Sequence, residues 1–344
     1  MRAVRLHAPG TPPRLEEVEV PEPIGTEVRV AVAGAGVCRT DLHIVDGIQP
    51  RVRLPVTLGH EVGGHVDAMG SDAARLLRRM RIAIGDPVLV YGGWGCGACP
   101  ECRGGTEQRC ATSLAPGFQL DGGYADAMLV PHPRHLVRLR SLDPARAAPL
   151  ADAGVTPYRA VRRAEPWLVP GARVLVIGAG ALGQFALQYL RLLPPGGGEL
   201  VVAVRELDPE RLERAAELRA DVGLLAVEPA MTLAGLGGPA AAVLDFVGSD
   251  DSLAHAADVV APGGVIVVVG EAGGSLRFSI DRIAPEATLT AVAWASLDDL
   301  RAVVRLAERG RLHWEIETLP LHQAAAAHDR LRAGTVRGRI VLVP

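Results

Sequence analysis

Short apolar stretches separated by Gly and Pro fill the chain from residue 1 to about 150. Residues Glu27–Ala33 alternate towards Val, and Pro87–Tyr91 is apolar throughout. Runs of this length between frequent turn residues are typical of strands. The pattern therefore predicts an irregular β domain. A short helix with a basic face, Arg75–Arg81, is predicted as an insert before Gly85.

From Arg173 onward, apolar strands alternate with amphipathic helices. The strands are predicted at Val174–Ile177, Leu200–Val204, Val222–Val227, Ala241–Val247 and Gly264–Gly270. The helices are predicted at Gln184–Leu193, Glu210–Leu218 and Asp250–Asp258. Alternation at this rate predicts a doubly wound parallel sheet.

The pattern changes again towards the end of the chain. Helices are predicted at Leu297–Arg309 and Leu321–Ala333, and strands at Glu315–Leu319 and Arg339–Val343. These elements do not extend the strand–helix alternation. They are therefore interpreted as the chain returning to its first domain, and the predicted fold class is α/β.

Composition narrows the class of protein. The chain has 344 residues, of which 49% are hydrophobic and 22% charged, so a globular protein of two domains is expected. The net charge of −3 gives no general attraction to nucleic acid or anionic membranes, and the basic insert is interpreted as a solvated surface. The start of the chain lacks the apolar segment of a signal peptide. The uncharged run Val174–Leu190 contains glycines and fits strand, turn and helix better than a membrane span. A soluble, cytoplasmic protein is expected.

A glycine motif follows the first strand of the alternating region. Gly178, Gly180 and Gly183 connect Val174–Ile177 to the next helix. In this setting the first glycine permits a tight turn, the second lets a pyrophosphate approach the backbone, and the third lets helix and strand pack closely. The helix N-terminus offers free N–H groups to phosphate. A Rossmann dinucleotide-binding domain is therefore predicted.

An acidic residue about 20 positions beyond the last glycine is expected to bind the ribose 2′-hydroxyl. The Pro- and Gly-rich stretch at 194–198 lengthens the loop, so the candidate is Glu206 at the end of the second strand. Arg205 beside it would instead favour a 2′-phosphate. NAD(H) is preferred over NADP(H), although this pair leaves the choice open.

Four of the five cysteines lie in one short segment, Cys96, Cys99, Cys102 and Cys110. Two-residue gaps place sulfurs on one side of a tight loop, and four thiolates close a tetrahedral shell without an open position. This favours a structural Zn²⁺ site. The alternatives are an iron–sulfur cluster and two disulfides.

A second group of ligand-type residues includes Cys38, His60 and the adjacent Glu61. A thiolate and an imidazole suit a catalytic zinc, which takes three ligands from protein. The alternative is a buried cysteine beside a histidine satisfied by the backbone. Asp152 lies in an apolar stretch, where an unpaired carboxylate is costly. It is either a third ligand or the N-cap of a helix near Thr156.

The order of three features along the chain resembles the zinc-dependent alcohol dehydrogenases of the medium-chain dehydrogenase/reductase family. These features are the candidate zinc ligands Cys38 and His60, the cysteine segment and the dinucleotide-binding fold. The likeness covers nearly the whole chain. It is strongest to the bacterial secondary-alcohol type, whose third zinc ligand is Asp, as in Leu150-Ala-Asp152-Ala-Gly. The resemblance implies a GroES-like domain over 1–153 and 295–344, a Rossmann domain over 154–294, and an active cleft where they join.

The resemblance also implies residue roles. The catalytic zinc ligands would be Cys38, His60 and Asp152, with Glu61 able to approach the metal and Asp41 holding the imidazole of His60. Thr40 and His43 would form the proton relay, Arg39 and Arg337 would contact the pyrophosphate, and Trp294 would line the substrate pocket or pack between domains. The remaining histidines, for instance His65, His132 and His255, are interpreted as surface or loop residues.

The function implied is reversible hydride transfer between a secondary or primary alcohol and NAD, giving a ketone or aldehyde. Two zinc ions per chain, a small-molecule substrate and a homodimer or homotetramer are expected, with no nucleic-acid or membrane partner. One alternative is a double-bond (enone or quinone) reductase of the same superfamily without catalytic zinc. The other is a non-catalytic zinc module that binds nucleotide or nucleic acid through Cys96–Cys110, which the net charge disfavours.

Overall fold

The computed structural model describes residues 1–194, 199–225 and 228–344. They form two compact units, Met1–Val155 with Ala295–Pro344, and Thr156–Trp294. Each unit has its own core, built mainly from Val, Leu, Ile and Ala. Within the described residues, no helix combines the length and the apolar character needed to cross a bilayer.

The first unit consists mainly of strands. They are β1 (Arg2–Leu6), β2 (Arg14–Glu17), β3 (Val28–Gly36), β4 (Val56–Thr57), β5 (Glu61–Met69), β6 (Pro87–Val90), β7 (Ala127–Val130), β8 (Leu136–Arg138), β15 (Ile316–Pro320) and β16 (Arg339–Val343). Its helices are α1 (Arg39–Val45), α2 (Ala73–Met80), α3 (Pro100–Arg103), α4 (Pro144–Ala147), α10 (Leu297–Glu308) and α11 (Ala324–Arg332).

Two sheets organise the strands of this unit. The larger has the order β15-β16-β3-β5-β6-β8, with β7 also paired to β3, and the smaller has the order β2-β1-β4. The C-terminal strand β16 pairs with β3, so the tail does return to the first unit. Strands β3 and β5 are antiparallel neighbours, and this pairing positions the first candidate site.

The second unit alternates strands and helices. Its strands are β9 (Arg173–Ile177), β10 (Val201–Glu206), β11 (Val222–Leu225), β12 (Ala240–Asp245), β13 (Val260–Val268) and β14 (Thr288–Ala291). Its helices are α5 (Val155–Ala164), which begins at the unit boundary, α6 (Ala181–Leu192), α7 (Pro209–Glu217), α8 (Pro229–Leu236) and α9 (Asp250–Val259).

The strands of the second unit form one parallel sheet in the order β11-β10-β9-β12-β13-β14. This is the Rossmann order, in which the chain reverses direction across the sheet between β9 and β12. Ligands of such sheets bind beyond the carboxyl ends of the strands at this reversal. The glycine motif, which directly follows β9, lies at that place.

The predicted α/β class is confirmed, and the differences concern individual elements. Helix α8 and edge strand β14 were not predicted, because α8 is apolar on all sides and the side chains of β14 are largely exposed. The predicted helix at Leu321–Ala333 divides into a 3₁₀ turn, Leu321–Gln323, and α11. Residues 195–198 of the lengthened loop and the end of the predicted third strand (226–227) lie outside the described residues.

Candidate active site

Two adjacent strands bring the first group of ligand-type side chains together. The end of β3 lies opposite the start of β5, with Gly36 paired to Glu61. Cys38 is the N-cap of α1 just after β3, and His60 directly precedes β5. Asp152 joins them from the 3₁₀ turn before α5. One ligand atom from each of Cys38, His60, Glu61 and Asp152 lies within 4.8 Å of the others.

The chemistry of this group fits a zinc ion. Cys38 Sγ lies 3.5 Å from Asp152 Oδ2, and His60 Nε2 lies 3.7 Å from the same oxygen. Cys38 and His60 are buried, whereas the Asp152 side chain keeps 15% exposure. Sulfur, imidazole nitrogen and carboxylate oxygen are the donors that Zn²⁺ takes in proteins. These side chains could therefore hold a metal ion.

Asp41 lies behind His60. Its Oδ1 is 3.3 Å from His60 Nδ1, and its Oδ2 accepts a hydrogen bond of 2.8 Å from the backbone N–H of Cys38. Burial opposes the charged form of both side chains, but their mutual attraction outweighs it, lowering the pKa of Asp41 and raising the pKa of His60. A carboxylate at Nδ1 orients the ring so that Nε2, which lies 3.7 Å from Asp152 Oδ2, can act as a metal ligand.

Glu61 is held by an arginine that sequence reasoning missed. Arg339, the first residue of β16, donates from Nε to Glu61 Oε2 at 2.9 Å and from its terminal nitrogen to Oε1. The backbone N–H of Ala153 donates to Oε1 at 3.0 Å. Burial raises the pKa of Glu61 in spite of this pairing. Glu61 thus belongs to the metal-capable group, which consists of Cys38, His60, Glu61 and Asp152. Its two carboxylate oxygens already accept hydrogen bonds from Arg339 and Ala153.

The second metal-capable group is the cysteine segment. Its four sulfurs, from Cys96, Cys99, Cys102 and Cys110, lie within 4.8 Å of one another, and all are free thiols. Backbone N–H groups of Ala98 and Cys99 point at Cys96 Sγ from 3.4 and 3.3 Å. Hydrogen bonds from Thr112 and the Cys96 backbone lower the pKa of Cys110 to about 6, whereas burial raises the pKa of Cys102 to about 12. Four sulfurs at this spacing fit a tetrahedral Zn²⁺ site.

The glycine motif follows β9 in a tight turn. Gly178 has φ of +88°, which favours glycine. A Cβ at Gly180 would meet no described atom within 4 Å, whereas one at Gly183 would overlap the carbonyl oxygen of Gly178. Gly183 therefore allows α6 to pack on β9, and the space above Gly180 is open to a ligand at the N-terminus of α6.

The two candidates at the end of β10 point in opposite directions. Glu206 accepts from the backbone N–H of Ala179 at 2.7 Å, so its carboxylate lies against the glycine turn. Its other oxygen accepts from the Leu207 backbone at 2.7 Å. Arg205 forms an ion pair of 3.0 Å with Asp251 at the start of α9. Successive side chains of a strand face opposite sides of its sheet, which explains the separation.

The other predicted site residues lie on α1 or in the segments next to β14 and β16. Thr40 and His43 are on α1, one turn apart, and Thr40 Oγ1 is 3.5 Å from Cys38 Sγ. Arg39 is exposed at the start of α1, and Arg337 is exposed shortly before β16. Trp294 is half-buried after β14 and has φ of +60°.

At least two of the remaining histidines were predicted wrongly, because His255 and His328 are both buried within helices. His255 is buried inside α9 rather than at the surface, and its Nε2 lies 3.0 Å from Thr232 Oγ1. Burial lowers the pKa of His255 to about 4. Its helix offers a polar residue to the interior because the hydroxyl of Thr232 supplies a partner there. His65 is exposed on β5, as predicted.

A parallel sheet of Rossmann order with a glycine turn, together with two groups of metal-ligand residues in a separate β unit, indicates a protein that binds a nucleotide and metal ions. Comparison with known proteins narrows this class. Residues 25–141 match the model of the alcohol dehydrogenase GroES-like domain, and residues 226–342 match that of a zinc-binding dehydrogenase.

Relatives match along the full chain. D-arabinose 1-dehydrogenase (NADP⁺) of Saccharolobus solfataricus is 35% identical over 100% of this chain and 97% of its own length. A NAD-dependent alcohol dehydrogenase of Sulfurisphaera tokodaii is 36% identical over 100% of both chains. The crystal structure of an alcohol dehydrogenase from Aeropyrum pernix matches with a TM-score of 0.91 and 33% identity, covering 100% of both chains. The protein belongs to the zinc-dependent alcohol dehydrogenases of the medium-chain dehydrogenase/reductase family, as its sequence predicted.

Proposed function

We propose that this protein catalyses reversible hydride transfer between a secondary or primary alcohol and NAD, giving a ketone or aldehyde. The observation that carries the proposal is the gathering of Cys38, His60 and Asp152 from three separate segments around one point. In a family of zinc-binding dehydrogenases, such a group of mixed sulfur, nitrogen and oxygen donors is suited to a catalytic metal. The cysteine segment, whose four sulfurs close a full shell, is suited to a structural one.

The residues around the proposed zinc site would have three roles: metal ligand, positioning group and proton relay. Cys38, His60 and Asp152 would hold the zinc, which acts when bound as a Lewis acid on the alcohol or carbonyl oxygen. Asp41 keeps the imidazole of His60 oriented. Thr40, whose hydroxyl lies beside Cys38 Sγ, would accept the substrate proton, which His43 on the next turn would carry onward.

The nucleotide would lie over the glycine turn, with its pyrophosphate above Gly180. Bound there, the nicotinamide coenzyme supplies the hydride acceptor or donor. We prefer NAD(H), because the carboxylate of Glu206 lies at the turn, while Arg205 is engaged by Asp251. A 2′-phosphate would meet the negative charge of Glu206 in that position. Relatives named for NAD and for NADP⁺ both exist, so the preference is tested directly.

The glycine turn supports a matched pair of variants. Gly180→Ala is expected to weaken NADH binding at least about tenfold, because the new methyl group occupies the space proposed for the pyrophosphate. Its stability should change by less than about 0.5 kcal/mol, since φ of −65° suits alanine. Gly183→Ala should instead destabilise the protein by about 1–3 kcal/mol through overlap with Gly178. Fluorescence titration and thermal unfolding measure the two effects; unchanged NADH affinity in Gly180→Ala would place the nucleotide elsewhere.

The function itself is tested by a spectrophotometric screen of primary and secondary alcohols, aldoses such as D-arabinose, and the matching ketones. Each compound is assayed with NAD(H) and NADP(H), before and after metal removal. Metal-dependent oxidation of CH–OH compounds, faster with NAD, is expected. Reduction of enones that continues at full rate in the metal-depleted enzyme would instead support the double-bond reductase. A homodimer or homotetramer, as in the family, is also proposed, and its mass in solution tests it.

A further inference from the structure

Tyr124 contacts Asp41, the carboxylate beside His60, and the proposed function gives this tyrosine no role. Its backbone N–H donates to the carbonyl of Leu58 at 2.8 Å, and the neighbouring Gly123 N–H donates to that of Gly59 at 2.9 Å. These bonds attach the segment of Tyr124 to the residues immediately before His60. The side chain of Tyr124 is fully buried.

The hydroxyl of Tyr124 reaches the helix that carries Asp41. It donates a hydrogen bond of 2.9 Å to Asp41 Oδ2, the oxygen that also accepts from the backbone of Cys38. Burial, together with the charge of Asp41, raises the pKa of Tyr124 well above its usual value, so the phenol remains a donor at neutral pH. With Oδ2 held by two donors, the carboxylate turns Oδ1 towards His60 Nδ1, 3.3 Å away.

The tyrosine ring is packed closely against its neighbours. Gly59 has φ of +96°, and a Cβ there would overlap Cδ1 of the Tyr124 ring. The buried ring of His328, from α11, is also a neighbour, with its centroid 6.1 Å from that of Tyr124 and the ring planes at 43°. A side chain confined in this way holds its hydroxyl in one position.

We propose that Tyr124 is a positioning residue whose hydroxyl sets the carboxylate of Asp41, and through it directs His60 Nε2 at the point shared with Cys38 and Asp152. This rests on the proposed role of that group as the catalytic zinc site. Partners that orient a ligating histidine typically change metal affinity 10- to 100-fold when they are lost. Tyr124 acts one step further away, so the smaller value applies.

The test compares two isosteric variants of the full-length enzyme. Tyr124→Phe deletes the hydroxyl that meets Asp41. Tyr91→Phe is the control, because Tyr91 is equally buried in the same unit but its hydroxyl donates at 2.7 Å to the backbone carbonyl of Ala295. Both variants lose a buried hydroxyl. Only that of Tyr124, which also lies 3.4 Å from the carbonyl oxygen of Gly36, donates to the carboxylate beside His60.

Zinc affinity is measured by competition with a chromophoric chelator, and site geometry by the absorption spectrum of the cobalt-substituted protein. In Tyr124→Phe the zinc of the Cys38 group is expected to bind about tenfold more weakly with an altered cobalt spectrum, while the zinc of the cysteine segment is retained. Tyr91→Phe should match wild type within about twofold.

The outcomes separate this inference from the function it rests on. If wild type holds two zinc ions and Tyr124→Phe keeps the same affinity and spectrum, or if both variants weaken equally, the positioning role is refuted and the site remains. If wild type holds zinc only in the cysteine segment, the proposed catalytic site and the role of Tyr124 both fail.

Discussion

Asp152→Ala is expected to lower kcat for alcohol oxidation by about a thousandfold or more, because loss of the metal forfeits several kcal/mol of charge stabilisation. Cys38→Ser should behave similarly. The dissociation constant for NADH should change by less than about twofold, since the nucleotide is proposed to bind on the other unit. Steady-state kinetics, NADH titration and zinc content measure the three effects.

The control for this prediction is Asp298→Ala, which removes a carboxylate that is 78% exposed on α10. Its turnover should equal that of wild type. Undiminished turnover in either Asp152→Ala or Cys38→Ser would contradict the proposed zinc site. Turnover lost together with NADH binding would indicate misfolding, which thermal unfolding of the same samples distinguishes.

Arg339→Met is expected to lower the free energy of unfolding by about 3–5 kcal/mol, because it leaves the carboxylate of Glu61 buried without its counter-ion. Both side chains of this pair are nearly inaccessible to water. The double variant Arg339→Met/Glu61→Gln should recover part of the loss, since neither charge then remains buried. Denaturant unfolding at equal zinc content measures each value.

The matched control is Arg330→Met. Arg330 also contacts a carboxylate through two nitrogens, at 2.6 and 2.7 Å from Glu317, but the side chains are 37% and 44% exposed. Because water and salt screen an exposed pair, its loss should cost less than about 1 kcal/mol. Equal costs for the two arginines would show that burial does not govern the strength of these pairs.

Much of the second unit could be predicted from local patterns. The spacing of apolar residues predicts the strand–helix alternation, and the conformational freedom of glycine explains the glycine motif. Both are properties of short segments. Helix α8 and strand β14 were not predicted, because neither shows the alternation of apolar and polar residues that is typical of a half-buried helix or strand. Their places are set by contacts with the rest of the sheet.

The candidate site was predictable in its residue types and less so in its connections. The thiol, imidazole and carboxylate groups indicated a metal site, and the family resemblance favoured Asp152 as a metal ligand rather than as a helix N-cap. The partner of Glu61 lies 278 positions away at Arg339, and the partner of Asp41 lies 83 positions away at Tyr124. No periodicity or motif links such distant positions, because only the folded sheet brings them together.

The sequence by itself determined the α/β class, the nucleotide turn and the two sets of ligand-type residues, because these depend on residue chemistry over short spacings. Only the tertiary structure decided which side chains touch. In the folded chain Arg205 pairs with Asp251, and Glu206 accepts a hydrogen bond from the glycine turn. Glu61 is paired with Arg339, and Asp41 accepts a hydrogen bond from Tyr124. The reason is burial, since a charged group inside the protein is stable only beside the partner that the fold places there.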